Sequence, residues 1–576
     1  MAEFGHSPEV EEVMEIELIE LHRSVWSIYS FVLIYFTEFI PVGIIHATRL
    51  NRGRAMDIPQ DLYAVCALAP VAMMAALTGL TRLSWVSTPS LWKLFQAVSF
   101  AALAFTGLCL SMPANGAHWP GAVTATPLSL VLALLVQLLG TVIAAFSARY
   151  LEGEPNQRRY IGALAAVLAG VHVLLLANHW LVLIAAWASV GIALQHLLCF
   201  YPDRPFALLA AHKKRIADRL ADVMLLGAAA LAWLEVGSGS LAALWVHIAQ
   251  QGMSVPLHMS AVLVVLAVIL RTALLPVHGW LIQVMEAPTP VSALLHAGVV
   301  NLGGFVLIRF APMLEQATPA RILLLVFGLA TAVLAGMVML TRISIKVRLA
   351  WSTVAQMGFM LLECALGLYT LAALHLIGHS LYKAHAFLSA STAVRNTRSQ
   401  VMRGASSPSA TSLVLAPVLT ISVVLGVLTL AGHASWPWWW SLVLGLAWAP
   451  LLWLPRVQAD GPARSAQALF ALLMVVGLTV AAAAAHLLPL GLHDAPHRGL
   501  GLIALTGMAA LYFFQALLQG RPQLLAQWRR WSYAGFYLDE AYTRLALQIW
   551  PARWTPRAST QVAPKSATSP LGDAGR

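Results

Sequence analysis

Charge is scarce in this sequence. Only 10% of its 576 residues are charged, whereas soluble domains carry about 25% charged residues. The chain is therefore not an ordinary soluble globule, since 59% of its residues are hydrophobic and its mean hydropathy is +0.76. Such a composition is typical of a protein that uses lipid as its solvent.

Cysteine is equally scarce, and each of the four cysteines stands alone in an apolar run: Cys66, Cys109, Cys199 and Cys364. No C-x-x-C or Cys/His spacing occurs, so the sequence indicates neither a disulfide framework nor a zinc site. We interpret the cysteines as small core residues. The net charge is +11, but the basic residues are spread between apolar runs. This distribution argues against nucleic-acid binding and favours membrane orientation.

The apolar residues form runs of about 20 residues, the length that crosses a bilayer. The runs are 25–47, 62–81, 92–112, 126–148, 160–178, 180–200, 217–235, 258–285, 291–311, 321–341, 348–367, 369–394, 411–431, 437–454, 465–488 and 500–519. The sequence therefore predicts an all-α polytopic membrane protein with about sixteen transmembrane helices. The first three of these spans occupy 25–112.

The two ends of the chain differ from the apolar runs. Residues 1–24 are acidic, unlike the basic start of a signal peptide. They predict an amphipathic helix on the membrane surface or against a partner, and a solvated tail is the alternative. Residues 520–550 mix aromatic side chains with both charge signs, which predicts an interfacial amphipathic helix. Residues 551–576 are rich in Pro, Ser, Thr and Ala and predict a disordered tail.

Basic residues gather in alternate loops: 149–159, 201–219, 342–348, 395–403, 455–464 and the region after 519. The intervening loops 112–125, 236–257, 367–369 and 432–436 contain no Lys or Arg. By the positive-inside rule the basic side is cytoplasmic. Arg49, Arg52 and Arg54 would lie on the other side, so either the first run does not span simply or the rule fails there.

One stretch, 271–301, places Arg271, two histidines, a glutamate and a P-T-P turn inside an apolar region. Ionisable groups and broken helices are costly in lipid and persist where they face protein or water. We predict that Pro276 breaks the span 258–285 near Gly279. Arg271 can set a local field, but it is a poor proton carrier because it stays charged. The alternative is a structural arginine that pairs with carbonyl groups or snorkels.

The span 369–394 contains His375, His379 and Lys383. Steps of four residues place them on one stripe of a helix, each separated by about 6 Å of rise. Imidazole titrates near neutrality and a desolvated lysine can approach the same range, so the stripe predicts successive proton stops. A stripe that snorkels from the basic end is the alternative.

Further ionisable residues accompany this stripe. Glu363 lies at membrane depth and must be neutral or paired, with Lys383 or a histidine as its candidate partner. Lys346 opens the same span as Glu363. Asp222 lies three residues after Arg219, a spacing that fits an end-of-helix ion pair. His296 follows the P-T-P turn, and a satisfied core histidine is the alternative to a titrating one.

Three motifs are distinctive: P-T-P-V-S-A-L-L-H-A (288–297), I-K-V-R-L-A-W-S-T-V-A-Q-M-G-F-M (345–360) and H-L-I-G-H-S-L-Y-K-A (375–384). They resemble the antiporter-like subunits of respiratory complex I and of Mrp cation/proton antiporters. The resemblance covers about residues 120–400. The sequence of residues 286–312 most resembles the membrane subunit of bacterial DAB inorganic-carbon accumulation complexes.

The resemblance implies two inverted five-helix repeats, each with a broken helix, around a site at mid-membrane. It places the second break near Pro417. The family's first half pairs a lysine with a glutamate in a W-E-x-x-G segment. Here Arg271 stands in place of the lysine and residues 187–191 read W-A-S-V-G, so the usual pair is absent and Asp222 is the candidate replacement.

By the same resemblance, Lys383 is the central relay lysine, His375 and His379 are the bridging histidines, and His296 is the histidine after the proline turn. The predicted proton relay comprises Lys383, His375, His379, Glu363, His296, Arg271, Asp222 and Lys346. The region 120–400 is then the conducting core, and 401–519 forms the C-terminal helices.

These features predict a proton-conducting subunit of the bacterial inner membrane rather than an enzyme, with sodium as the alternative coupling ion. The DAB resemblance implies that its partner is a large, zinc-containing, carbonic-anhydrase-like protein on the cytoplasmic face, which accumulates inorganic carbon. It implies no cofactor and no nucleic acid for this chain, and zinc in the partner. The alternatives are a proton-pumping subunit of a complex I-like redox assembly, an Mrp-type cation/proton antiporter subunit, and a membrane anchor that conducts nothing.

Overall fold

The computed structural model describes residues 60–112, 118–119, 122–390, 408–432, 436–454 and 461–550. The predictions for 1–24, for the span 25–47 and for the tail 551–576 lie outside these residues. Within the described residues, one antiparallel hairpin of two short strands accompanies the helices. Its strands are β1 (His118–Trp119) and β2 (Val123–Thr124).

The first half of the described chain is a succession of helices that leads into the predicted broken region. They are α1 (Gln60–Leu80), α2 (Thr88–Ser111), α3 (Pro127–Tyr150), α4 (Gln157–Leu176), α5 (Trp180–Leu198), α6 (Pro205–Val236), α7 (Leu241–Gln251), α8 (Val255–Arg271), α9 (Gly279–Gln283), α10 (Thr289–Ala297) and α11 (Leu302–Arg309).

The second half contains the motif helices and the C-terminal helices. They are α12 (Ala311–Gln316), α13 (Thr318–Met339), α14 (Ile345–Leu366), α15 (Tyr369–Leu388), α16 (Ala410–Leu430), α17 (Trp438–Trp448), α18 (Gly461–His486), α19 (Arg498–Gly520), α20 (Ala526–Tyr533) and α21 (Leu538–Ile549).

Among the described residues, 11 helical stretches are long and apolar enough to cross a membrane. The helix α8 and the stretch Trp438–Leu452 are apolar but shorter. Every predicted span from 62–81 onward overlaps a helix or a helix pair. The chain is therefore a mostly helical, multi-pass membrane protein, as predicted. The total of about sixteen spans stays a prediction.

The predicted break at Pro276 is confirmed, because α8 ends at Arg271 and α9 begins at Gly279. A broken helix in a membrane needs partners for the backbone groups that it frees. The N–H of Leu275 donates to Thr331 Oγ1 on α13 (3.2 Å). A neighbouring helix therefore satisfies part of the opened backbone.

A second interruption, which we did not predict, divides the span 291–311 into α10 and α11. The helix α10 ends at Ala297, Gly298 caps it, and a short 3₁₀ turn, Val299–Asn301, follows. The Asn301 side chain bridges the gap, since its Nδ2 donates to Ala297 O (2.9 Å) and to Ser380 Oγ (2.7 Å). Two adjacent spans are thus broken on either side of the P-T-P turn.

The predicted break at Pro417 is wrong, because α16 runs without interruption through this proline. Proline removes the N–H that would bond to the carbonyl four residues earlier, which is Leu413 O. The Tyr512 hydroxyl on α19 donates to that oxygen (2.7 Å). The side-chain donor replaces the missing backbone donor, so the helix continues.

The segment 520–550 is not the single interfacial helix that we predicted. Gly535, Phe536 and Tyr537 have φ values of 64°, 56° and 55°, and a left-handed turn of this kind separates α20 from α21. The helix α21 then packs against α6 and α9. The C-terminal segment is therefore attached to the first half of the bundle.

Contacts between the loops sort the helix ends into two groups. Lys213 and Asp539, from two of the predicted basic regions, form an ion pair (2.5 Å). Asn178 accepts from Leu241 N through its carbonyl and donates to Ala122 O through its N–H (2.9 Å each). These contacts agree with the predicted alternation of loops. We call the end that contains Lys213 and Asp539 the basic end of the bundle, and the end that contains Asn178 the opposite end.

The helices α13 and α14 meet backbone to backbone at Gly328 and Gly358. A Cβ atom at Gly358 would lie 2.8 Å from Gly328 O and 2.7 Å from Ala332 N. Small residues permit this approach in membrane bundles. Gly367, with φ 79°, then turns the chain from α14 into α15, so the two motif helices lie side by side.

Candidate functional site

The helix α15 lies at the centre of the site. It packs against α3, α10, α11, α14 and α18 and runs from the opposite end towards the basic end. It carries His375, His379 and Lys383, and the Lys383 side chain is fully buried. The predicted stripe therefore faces protein inside the bundle and does not snorkel to the surface.

The amine of Lys383 is held by α14. Its Nζ donates to Leu349 O (2.9 Å) and to Ser352 Oγ (2.7 Å). Among the described residues, no carboxylate forms an ion pair with this lysine. A buried amine that is held by neutral acceptors can exist in either protonation state, which is the property that a relay requires.

Two buried histidines lie near Lys383. The His296 ring stacks on Phe387 with ring centroids 4.5 Å apart, and the rings of His379 and His375 are 6.2 Å apart. Both nitrogens of His296 and both nitrogens of His379 lack a hydrogen-bond partner among the described residues. Buried polar atoms are usually satisfied by protein or by ordered water. This part of the site therefore offers polar positions to water molecules.

The partner of Glu363 is a histidine. His375 Nδ1 and Glu363 Oε2 share a hydrogen bond of 2.9 Å, and Glu363 is buried. Of the two partners that the sequence allowed, the structure selects His375 over Lys383. The pair lies towards the opposite end, because Glu363 is in the last turn of α14 and His375 is in the second turn of α15.

Lys346 lies at the basic end of the same helix pair. Its Nζ donates to Thr289 Oγ1 at the start of α10 (2.8 Å), and Thr289 Oγ1 lies 3.4 Å from the Tyr150 hydroxyl. Lys346 is about one helical turn from Leu349, the residue whose carbonyl holds Lys383. These hydroxyl groups and the lysine thus lead from the basic end towards Lys383.

Arg271 and Asp222 form a separate charged pair at the broken helix. Arg271 Nη2 donates to the Asp222 carboxylate, and Nη1 donates to Trp187 O (2.8 Å). Arg219 also donates to Asp222 (3.1 Å). Asp222 therefore pairs with both arginines, and it supplies Arg271 with a carboxylate in place of the absent family glutamate.

Sequence reasoning missed a second carboxylate in this area. Lys214 and Asp218 form an ion pair on α6. A Cβ atom at Gly191 would lie 2.8 Å from Asp218 Oδ2, so this carboxylate packs directly on the W-A-S-V-G segment of α5. The spacing of four residues between lysine and aspartate was the signal that could have revealed the pair.

A third charged contact joins the C-terminal helix to the broken helix. Asp539 accepts from Lys213 Nζ (2.5 Å) and from Gln283 Nε2 (3.1 Å). Lys213 precedes the predicted span, and burial lowers its pKa while the Asp539 carboxylate opposes that change. The contact leaves no room for a side chain at Gly279, where a Cβ atom would overlap Asp539 Oδ1.

The predicted relay residues therefore fall into two groups. The first group follows α15 and comprises Lys383, His379, His375, Glu363 and His296, with Lys346 at its basic end. The second group is Arg271 with Asp222. The described residues contain no group of three or more His, Cys, Asp or Glu that could hold a metal ion.

Residues 177–435 match the transmembrane family described as NADH:quinone oxidoreductase/Mrp antiporter. The chain is 37% identical over 493 residues to the "Probable inorganic carbon transporter subunit DabB" of Hydrogenovibrio crunogenus, and the match covers 84% of this chain and 94% of that protein. It is 38% identical over 512 residues to the "Probable inorganic carbon transporter subunit DabB2" of Halothiobacillus neapolitanus, covering 84% and 91%.

A solved Mrp complex from a Dietzia species contains a chain of similar fold, with a TM-score of 0.51 and 21% identity. The match covers 84% of this chain and 55% of that one, so this chain spans little more than half of its length. At this identity the similarity concerns the fold alone. The identity and near-complete coverage of the two DabB proteins are decisive: the chain belongs to the DabB family of antiporter-like membrane subunits.

Proposed function

We propose that this chain conducts protons between the two ends of the bundle and that the flow drives inorganic-carbon accumulation by a partner protein. The observation that carries the proposal is the buried series of titratable groups on α15 and its neighbours. Lys383 and His375 are eight residues apart, which corresponds to about 12 Å of helical rise. Glu363 extends the series towards the opposite end, and Lys346 extends it towards the basic end.

Each member of the series can hold and release a proton. Imidazole, carboxyl and amine side chains each exist in a protonated and a deprotonated form. The unpartnered nitrogens of His296 and His379 provide hydrogen-bonding positions for water. Water in these positions would connect groups that are too far apart for direct transfer.

The Arg271–Asp222 pair has a different role in this proposal. Arginine does not lose its proton, so Arg271 contributes a fixed field beside the broken helix. Asp222 and Asp218 are the groups here that can accept a proton. This half of the bundle therefore tunes the field, and the series along α15 carries the flux.

Membership of the DabB family supports inorganic carbon as the accumulated substrate. We assign the hydration of CO2 to a large, zinc-containing, carbonic-anhydrase-like partner on the cytoplasmic face, which the basic end would contact in the bacterial inner membrane. The chain itself acts as a transporter subunit. In this scheme α4–α11 and α13–α17 form two inverted repeats around the series, and among the described residues we assign a helix break at a proline to the first repeat alone.

The first test replaces Lys383 with alanine in cells that accumulate labelled bicarbonate. We expect at least a tenfold loss of uptake that is sensitive to a protonophore. The matched control is Lys93→Ala, which removes an exposed lysine on α2 and should keep uptake within twofold. Full uptake in Lys383→Ala would identify the chain as an anchor that conducts nothing.

A second test identifies the partner by mild-detergent purification from native membranes, followed by mass spectrometry and metal analysis. One large soluble-type protein that carries zinc would support inorganic-carbon accumulation. Several small membrane subunits would instead indicate an Mrp-type cation/proton antiporter. Iron–sulfur and quinone-reducing subunits would indicate a complex I-like redox pump.

A further inference from the structure

The loop before α19 lies against the opposite end of the series and contributes Asp494, and the end of α18 contributes a second titratable group, His486. Both positions lie beyond residue 435, where the family match ends, and neither was among the residues predicted from sequence. Asp494 Oδ1 accepts from the N–H of Thr370 at the start of α15 (2.8 Å). His486, the last residue of α18, has its Nε2 3.7 Å from Asp494 Oδ2.

The backbone holds this loop in a defined place. Ala495 N donates to Gly367 O (2.9 Å) and His497 N donates to Leu366 O (3.0 Å). The loop approaches Gly367 so closely that a Cβ atom at this residue would overlap Ala495 O. Asp494 is therefore fixed above the turn between α14 and α15, the helices that carry Glu363 and His375.

Burial decreases stepwise from the pair to the surface. The side chain of Glu363 is 5% exposed and that of His375 is 14% exposed. The side chains of Asp494 and His486 are 19% and 17% exposed, and His493 beside them is exposed. The charge of Asp494 also acts on Glu363. These groups thus link a buried carboxyl–imidazole pair to a surface that water reaches.

We infer that Asp494, assisted by His486, is the opposite-end terminus of the proton path and exchanges protons between bulk water and the Glu363–His375 pair. The ligand of this site is the proton. A proton from water first converts the Asp494 carboxylate to the acid. The acid then passes that proton through water to the pair and returns to the carboxylate, so no other reactant is consumed.

Other titratable groups interact with Asp494 from the elements packed around it. They are Glu315 on α12, Glu363 and Cys364 on α14, Tyr369 on α15 and His486 on α18. His493 precedes Asp494 in the loop, and Arg321 on α13 donates to the neighbouring Ala495 O (3.4 Å). Glu315 lies outside the spans, and burial raises its pKa. Its charge interacts more strongly with His493 and Arg321 than with Asp494, which makes it the matched control for a second carboxylate on this surface.

The alternative is that Asp494 has a purely structural role and caps the first turn of α15. Asparagine separates the two possibilities, because its side-chain oxygen can accept the same hydrogen bond from Thr370 but cannot take up a proton. The experiment measures proton flux with a pH-sensitive dye in native membrane vesicles of both orientations. The pH of the bath is varied on each side in turn.

The inference rests on the proposed function, and we expect Asp494→Asn to reduce the flux at least tenfold and to abolish its dependence on pH at the opposite end. Asp494→Glu should restore the flux to within threefold, and Glu315→Gln should leave it unchanged. Wild-type flux and pH dependence in Asp494→Asn would overturn the inference. If Lys383→Ala also kept its flux, the proposed function would fail; if Lys383→Ala lost it, only the terminus would be wrong.

Discussion

Replacing Gly279 with alanine should break the contact between the C-terminal helix and the broken helix. A Cβ atom there would overlap Asp539 Oδ1 and lie 2.7 Å from Lys213 Nζ. The Asp539 carboxylate must therefore move away from Lys213, which is fully buried. The substitution adds one methyl group, yet it displaces the Asp539 carboxylate, the only one that forms an ion pair with Lys213 among the described residues.

The expected cost follows from the burial of the pair. Removing one partner of a buried ion pair costs about 3–5 kcal/mol. The side chain of Asp539 is 27% exposed, and Thr543 still accepts from Lys213 (2.9 Å), so we expect the lower end, about 3 kcal/mol. At about 2 °C per kcal/mol, the melting temperature should fall by roughly 6 °C.

The assay is thermal unfolding of the purified chain in detergent, followed by tryptophan fluorescence. Gly79→Ala and Gly107→Ala are the controls, because nothing lies within 4 Å of a Cβ atom at either glycine. These helical positions should gain about 0.5–1 kcal/mol. A melting temperature of Gly279→Ala equal to that of the controls would refute the reasoning.

A double-mutant cycle isolates the cause. Asp539→Ala should cost about as much as Gly279→Ala, and the double variant should cost no more than Asp539→Ala alone. The coupling energy would then be about 3 kcal/mol, within the range for residues in contact. Additive losses would show that the alanine damages α9 in some other way.

Two other changes test the remaining charges. Asp222→Asn leaves Arg271 without its carboxylate, so we expect the free energy of unfolding to fall by about 3–5 kcal/mol and proton flux to slow at least tenfold. The control, Glu235→Gln on the same helix, should change neither quantity. Equal effects in both variants would contradict the pairing of Arg271 with Asp222. Asp539→Asn removes the group that opposes the lowered pKa of Lys213. At pH values between the lowered pKa of folded Lys213 and its unfolded value of 10.5, the unfolded chain binds more protons than the folded chain. The free energy of unfolding should therefore rise with pH in this range. The rise should exceed that of the wild type and be absent in Lys213→Met.

Local chemistry explains which parts of the fold the sequence predicts well. The apolar runs locate the helices because a span must satisfy its own backbone in lipid. The four-residue spacing of His375, His379 and Lys383 places them on one face, and the structure buries that face. Such inferences succeed because they depend on residues within a few turns of one another.

The two prolines show where local chemistry is insufficient. Pro276 and Pro417 both remove a backbone donor, and both were predicted to break a helix. The outcome at Pro417 depends on Tyr512, a residue 99 positions from Leu413, whose hydroxyl replaces the lost donor. No pattern around Pro417 contains this information.

The missed site residues divide in the same way. Lys214 and Asp218 were within reach of the i,i+4 rule. By contrast, Asp539 meets Lys213 across 326 positions, and Asp494 meets Thr370 across 124. Both acidic residues lie outside the recognisable motifs, so neither the spacing of charges nor the resemblance could identify their partners.

The contact between Lys213 and Asp539 also bears on biosynthesis. The two residues are separated by 326 positions, and at about 5–20 residues per second the second follows the first from the ribosome after roughly 16–65 s. Throughout that interval α21 is absent from its place against α6 and α9, and Lys213 has no Asp539 carboxylate to pair with. A nascent chain that terminates early keeps this surface uncovered, whereas a chain translated to its last helices closes it. The first half of the bundle therefore reaches its final set of contacts only after α21 has been synthesised.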